Sequence, residues 1–350
     1  MRRASRPSVC LVAAVSLLAS VTCVSRAAAQ PSDAIGVRAQ GMAGAFTGVA
    51  DDASASWWNP AGMAGAAYFN AIIEAATFRE PRSDEVAGIE PQRARRADTR
   101  SYAVAFPSMG LSYYRVRVSE IRPLTSTDTV PGDRQEGAAA GVLLRSLVLN
   151  QFGTSIAQSI GSHLVVGTTV KVVNGGVQSV VLPAVTASLD AATDLDPDGE
   201  THAGMDVGAM ATLGVLRIGV MVRNAFTEPT FVSGLESFQL TRTARVGGAL
   251  SSGTRGVIGV ATLAFDADLL TTATVLGDER RIAAGGEVWT SGRTFGIRGG
   301  WGISTIGLRR TLLSGGVSAS VKKGIYADAE YSGGNDLGRK GWAAGLRVTF

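Results

Sequence analysis

The chain has 350 residues, 44 of them glycine, with 45% hydrophobic and 18% charged residues and a formal net charge of +4. Arg2, Arg3, Arg6 and Arg26 all lie near the N-terminus, and without them the basic residues equal the 29 acidic ones, so charge gives no support to a nucleic-acid partner. Both cysteines, Cys10 and Cys23, fall in the same stretch, which excludes disulfides, thiolate metal sites and a cysteine nucleophile from everything after it.

Residues 1–29 read as a cleaved export signal. Arg2, Arg3 and Arg6 form its positive start, Leu11 to Val24 its uncharged apolar run, and Ala27-Ala28-Ala29 its small-residue cleavage site. The apolar run of about 14 residues falls short of the roughly 18 to 20 that a spanning helix needs. No later stretch supplies such a span either, so helical membrane crossing is not expected.

Residues 30–66 follow, too short and too poor in large apolar side chains to form a core of their own. Within them "GMAGAFTGVADDASASWWNPAGMAGA", Gly41 to Ala66, has the period of neither a strand nor a core helix. Asp51, with Asp52 beside it, is expected to cap a helix of one or two turns. That helix must stop near Asn59, because Pro60 disfavours the α region in its predecessor. Trp57 and Trp58 admit three readings: interfacial anchors, packing within the segment, or a lining for an apolar ligand.

Residues 67–350 alternate. In the last twelve, Trp342, Ala344, Leu346, Val348 and Phe350 share one face, suited to lipid, while Ala343, Gly345, Arg347 and Thr349 share the other, suited to a wet lumen. The same period sets Tyr114, Val116 and Val118 against Tyr113, Arg115 and Arg117, and sets Ile325, Ala327, Ala329 and Tyr331 against Tyr326, Asp328 and Glu330. Strands are expected near 67–78, 100–107, 110–118, 142–157, 162–173, 204–213, 215–224, 240–250, 256–267, 280–290, 293–302, 309–321, 324–332 and 340–350. A soluble sandwich also alternates, but here long and short links take turns along the chain, the order produced by external loops and periplasmic turns. The expected fold class is all-β: a transmembrane antiparallel β-barrel of about 14 strands.

The pattern Gly36, Arg38, Gly41-Met42, Gly44-Ala45-Phe46, Ala50-Asp51-Asp52-Ala53-Ser54, Asn59-Pro60-Ala61-Gly62-Met63 closely resembles the N-terminal segment of the FadL superfamily of outer-membrane proteins. "GMAGAF" followed by "VADDASA" and an aromatic pair is similar to the PorV/PorQ-like branch in particular. Elsewhere the resemblance rests on "LRIGVMVRN", Leu216 to Asn224, and on the closing aromatic strand. It departs at Ala43, where a glycine is usual, a change expected to matter little. The resemblance implies a 14-stranded barrel whose N-terminal segment forms a hatch in the lumen, with Phe46, Trp57, Trp58, Asn59 and Pro60 as hatch residues that can line a ligand path. It implies a hydrophobic small-molecule ligand such as a long-chain fatty acid or, on the PorV/PorQ-like side, binding to exported proteins or a secretion channel. Trp342, Leu346, Val348 and Phe350 resemble the terminal signal read by the barrel-assembly machinery.

Catalytic chemistry finds little footing. The two histidines, His163 near a turn and His202 in the longest link, lack a nucleophile-elbow motif, so no catalytic residues are expected and a Ser-His barrel lipase is the enzymatic outsider. Asp51 and Asp52 diverge as adjacent side chains and lack the further oxygens of a calcium loop. Asp194 to Glu200, "DLDPDGE", is nearer to such a loop but lacks the full motif, and reads as a solvated loop touching cations at the lipopolysaccharide surface. Gln92 to Arg100 reads as an exposed basic loop contacting lipopolysaccharide phosphates. No cofactor or protein-held metal is expected; outer-membrane lipid is the surrounding medium.

Overall fold

The structure, a computed structural model, describes residues 35–80, 94–123, 141–183, 186–233, 236–253, 256–274, 277–336 and 339–350. The expected export signal lies outside them. In chain order the strands are β1 (Asn70–Glu80), β2 (Ala94–Phe106), β3 (Met109–Pro123), β4 (Gly141–Ile160), β5 (Leu164–Pro183), β6 (Glu200–Leu213), β7 (Leu216–Arg223), β8 (Thr230–Ser233) and β9 (Glu236–Gln239). They continue with β10 (Thr243–Ser251), β11 (Ile258–Asp268), β12 (Thr272–Thr274), β13 (Gly277–Glu279), β14 (Arg281–Thr290), β15 (Phe295–Ser304), β16 (Thr311–Lys322), β17 (Ile325–Gly334) and β18 (Gly341–Thr349).

Two short pairs, β8–β9 and β12–β13, stand apart, and the other fourteen strands close into one antiparallel barrel in which β1 pairs with both β2 and β18. Closure leaves no unpaired sheet edge, the condition for crossing lipid with strands. The pleat sorts side chains by face: Ile73, Phe152, Val170, Leu263, Ile297 and Leu346 are exposed outward, whereas Glu74, Lys171, Asp206, Glu287, Arg298 and Arg347 are buried inward. Tight connections follow β2, β4, β6, β14 and β16 at one end, and the long ones gather at the other.

All fourteen expected strands are present, and several run longer. β5 extends through Pro183 although Gly175 and Gly176 read as the start of a loop. These glycines stay in register opposite Leu149 and Val148, because they leave room for the Leu149 and Phe231 side chains on one face and for Pro197 and Asp198 on the other. Likewise Ala94 to Arg100 belong to β2 rather than to an exposed loop, their alternation having been masked by charge; Gln92 lies outside the described residues.

One face assignment reverses. Tyr114, Val116 and Val118 are buried inward, and Arg115 and Arg117 point outward. The reason is height: this part of β3 rises past the lipid-facing band, where the outer wall is polar or covered. A short helix in the β5–β6 link, α-helical from Leu189 to Thr193, packs on that wall, and Ala94, Ile121, Val142 and Leu144 are buried beneath Ala187 and Ala192. Arg117 Nη1 donates to the Thr193 carbonyl at 2.6 Å, and Arg96 Nη1 to Asp190 Oδ1 at 2.9 Å.

Candidate luminal site

The segment before β1 is buried against inward-facing strand residues. Its first helix, α1 (Val37–Gly41), ends with the Ala43 N–H on the Gln40 carbonyl and the Gly44 N–H on the Ala39 carbonyl, both at 2.8 Å. This is the Schellman ending, which places the residue after the cap in the left-handed region. That residue is Ala43, at φ 55°. The position where the family resemblance has a glycine is therefore one that needs positive φ, and alanine there is strained.

Arg38 of α1 is the hub of a buried ionic chain. Its Nη1 reaches Asp51 Oδ1 and Asp52 Oδ2, each at 2.8 Å, while Nη2 and Nε clasp Glu287 of β14 at 2.6 and 3.1 Å. Glu287 also forms an ion pair with Arg298 of β15 at 3.2 Å, and Asp328 of β17 meets Arg298 at 3.4 Å and Arg347 of β18 at 3.0 Å. Burial opposes ionisation of both Arg38 and Asp51, but the Glu287, Asp51 and Asp52 carboxylates hold the Arg38 pKa well above its ordinary value, and Arg38 with Arg217 holds the Asp51 carboxyl below its own.

Asp51 is thus not a helix cap. The second helix, α2 (Ala55–Trp58), starts after Ser54 with no side-chain cap of its own; Asp52 Oδ1 accepts from the Ser54 N–H at 3.0 Å while its other oxygen serves Arg38. A buried guanidinium without counter-charge costs more than an uncapped single turn, and it takes both carboxylates. The expected stop does occur: Asn59 is extended at φ −168°, and Pro60 opens a 3₁₀ helix, Pro60–Gly65.

Asn59 fastens the segment to the wall. Its Nδ2 donates to the Thr47 and Ala209 carbonyls at 3.1 Å, and its Oδ1 accepts from the Ala61 N–H at 3.1 Å. Asp266 of β11 accepts from the Phe46 and Thr47 N–H groups at 3.2 and 2.9 Å, Glu74 of β1 from Val37 N–H at 3.1 Å, and Asn70 from Ala53 N–H at 2.8 Å. Wall glycines make this approach possible: a Cβ at Gly167 or Gly208 would strike Ala61 or Asn59, and one at Gly300 would strike the Met42 backbone.

The two tryptophans part ways. Trp58 is fully buried, packs edge-on against Phe46 and donates from Nε1 to the Ile35 carbonyl at 3.0 Å. Trp57 faces the opposite way, edge-on to Tyr114 with the Arg223 guanidinium 4.0 Å from its ring centre. It lines a cavity of about 30 Å³ together with Val116, Leu149, Val173 and Leu240, with Lys171 and Arg223 at its polar side. Above that cavity the β8–β9 hairpin turns its fully buried Phe231 and Phe238 into an apolar cluster with Phe78, Val118, Leu147 and Val177. On the other side of the segment, toward the short turns, a polar vestibule of about 500 Å³ is lined by Arg38, Asp51, Arg217, Glu287 and Arg347.

Phe46, Trp58, Asn59 and Pro60 are therefore brought together as segment packing, and Trp57 alone among the five reaches the cavity. Arg38, Arg223, Phe231 and Phe238 were not singled out from sequence as parts of the site. For Arg38 the signal was present, a lone arginine in an otherwise small and apolar stretch; for the hairpin phenylalanines there was none beyond their place in a link. Trp342, Leu346 and Phe350 are exposed on the outer wall and Val348 is half-buried there. His163 is at the exposed turn after β4 beside Ser162, and His202 stacks edge-on against Phe231, so the histidines serve two distant places. At the long-link end Glu279 gathers Arg339, Arg281 and Arg310 at 2.6, 3.2 and 3.1 Å, tying three links together.

Residues 41–268 match the family model described as "F plasmid transfer operon, TraF, protein". No curated protein matches the chain. Solved structures that share the fold include a CymD monoaromatic hydrocarbon channel, with TM-score 0.56 and 13% identity over 91% of this chain and 98% of that one. The toluene transporter TbuX of Ralstonia pickettii gives TM-score 0.55 and 12% identity over 91% and 99%. A Pseudomonas aeruginosa FadL homologue gives 0.55 and 11% over 92% and 99%. At these identities the likeness is one of fold.

Proposed function

The chain belongs to the family described as "F plasmid transfer operon, TraF, protein", and we propose that it is an outer-membrane barrel admitting small hydrophobic molecules past its N-terminal segment, which acts as a hatch. One observation carries this reading: the lumen is graded, with an apolar, aromatic chamber toward the long links and a polar vestibule toward the short turns, and the Arg38-anchored segment between them. An apolar solute gains by entering the first region and has no reason to remain in the second, so the segment is where passage is decided. The shared fold with proteins titled as monoaromatic hydrocarbon channels and a toluene transporter supports the same class of substrate.

The cavity beside Trp57, about 30 Å³, is water-sized. Ligand entry therefore requires displacement of the β8–β9 phenylalanines, and a single aromatic ring requires less of it than a long-chain fatty acid. Uptake of labelled toluene and labelled oleate, compared in strains with and without the gene, tests the proposal. Uptake should fall without the gene and be restored by the wild-type chain.

The same small cavity favours one other reading, a PorV/PorQ-like barrel that binds exported proteins or a secretion channel, and the family's plasmid-transfer description is compatible with a role beside such machinery. Unchanged uptake of both solutes, together with a secretion component co-purifying from the outer membrane, would decide for it.

A further inference from the structure

The strand register aligns outward-facing side chains in rows across β1, β2, β3 and β4. One row reads Ile73, Tyr102, Tyr113, Phe152, and the next toward the long links reads Ala75, Arg100, Arg115, Asn150. An aromatic row giving way to a polar one marks the upper rim of the lipid-facing band. Two rows further along, Arg79 is opposite Arg96. Directly opposed like charges destabilise a strand pair, and this rim holds two such arginine pairs, with the row of Thr77, Asp98 and Arg117 between them.

Part of that charge is neutralised within the chain: Arg96 meets Asp98 at 3.2 Å and Asp190 at 2.9 Å. Among the described residues no acidic side chain pairs with Arg79, Arg100 or Arg115. These three, Arg117 and Asp98 line a groove of about 530 Å³ on the outer wall, bounded by Thr193 above and Trp342 at the side; the Asp98 carboxylate is tied to Arg96, which leaves the groove with an excess of positive charge. Guanidinium forks converging at the rim match phosphate oxygens in a bidentate way.

We propose that this groove is a binding site for a phosphate of lipopolysaccharide in the surrounding leaflet, with Arg100 and Arg115 as its principal ligands. The occupant must be anchored at the rim and multiply charged, and lipopolysaccharide carries phosphates on the sugars directly above its acyl chains. Trp342, half exposed beside the groove, offers an aromatic face to those sugars. The site is outside the barrel and independent of the luminal reading, so uptake through the lumen does not report on it.

The test uses the full mature chain refolded in detergent free of lipopolysaccharide, with binding followed by native mass spectrometry. Bisphosphorylated lipid A should bind at least about ten-fold more tightly than its dephosphorylated form, and free inorganic phosphate should not displace it at equal concentration. The Arg100→Gln/Arg115→Gln variant should keep the folded barrel's gel mobility and lose at least about ten-fold in binding. Arg100→Glu should lose binding yet melt at a higher temperature than wild type without lipid, because attraction to Arg115 replaces repulsion. Equal binding of dephosphorylated lipid A, equal affinity for inorganic phosphate, or wild-type binding by the double variant would each overturn the proposal.

Discussion

Ala43 shows how much one backbone angle can hold. It carries the left-handed φ of a helix ending with a side chain that disfavours it by about 1–2 kcal/mol, and glycine would offset that at an entropic cost of about 0.5–1 kcal/mol. Ala43→Gly should therefore stabilise the folded chain, by up to about 1 kcal/mol, read as a higher denaturation midpoint in detergent. Glu279 makes the opposite kind of contribution. Burial works against its ionisation, but Arg339, Arg281 and Arg310 outweigh it and hold its carboxyl down at about 2, against an ordinary 4.5. A lowered pKa contributes stability that is complete above about pH 4.5 and is lost as pH falls through about 2. Proteolytic nicking of the long-link end should rise across that acid window, whereas Glu279→Gln should be nicked more readily at neutral pH and show a flatter acid response.

At the scale of elements, the N-terminal segment is held by charge and the β8–β9 hairpin by apolar contact. Breaking a buried ion pair costs about 3–5 kcal/mol. Arg38→Ala should thus release the segment while the fourteen strands stay paired: single-channel conductance in a planar bilayer should increase, with the folded gel mobility unchanged. Gly300→Val pushes a side chain into the Met42 backbone, and overpacking of this kind costs about 1–3 kcal/mol; its conductance should rise as well. Phe231→Ala with Phe238→Ala should instead enlarge the apolar chamber and raise uptake of small aromatics. If that pair lowers uptake, the hairpin guides substrate rather than obstructing it.

The elements were also unequally legible. Alternation and link order revealed every barrel strand, because period and turn length are local properties. The ionic chain was not legible, since Arg38 and Glu287 are 249 positions apart and nothing in spacing joins them. The cap assigned to Asp51 failed for the same reason: its partner was Arg38, recognisable only once the segment was folded inside a wall. Val116 and Val118 misled because apolar side chains were expected to face lipid, and above the lipid band the apolar face is the inner one.

For the whole molecule, closure makes the barrel resistant to detergent, so unheated samples should migrate faster in gels than boiled ones; a chain lacking that shift is not this barrel. Closure also has a temporal meaning. Every neighbouring barrel pair but one joins strands consecutive in the barrel's chain order, whereas β1 meets β18 from the far end of the chain, finishing with Phe69 and Phe350 exchanging backbone hydrogen bonds. Local hairpins can zip early, but this seam must wait for the last strand. The segment inside is joined directly to β1, one lip of the seam, and its Arg38 must reach Glu287 of β14, five strands round the wall across the seam. Packing the contents before sealing the container is the short route; the alternative is threading a folded, multiply charged segment through a finished ring. The seam therefore works as a clock, and a variant that hastens its closure should trap empty barrels.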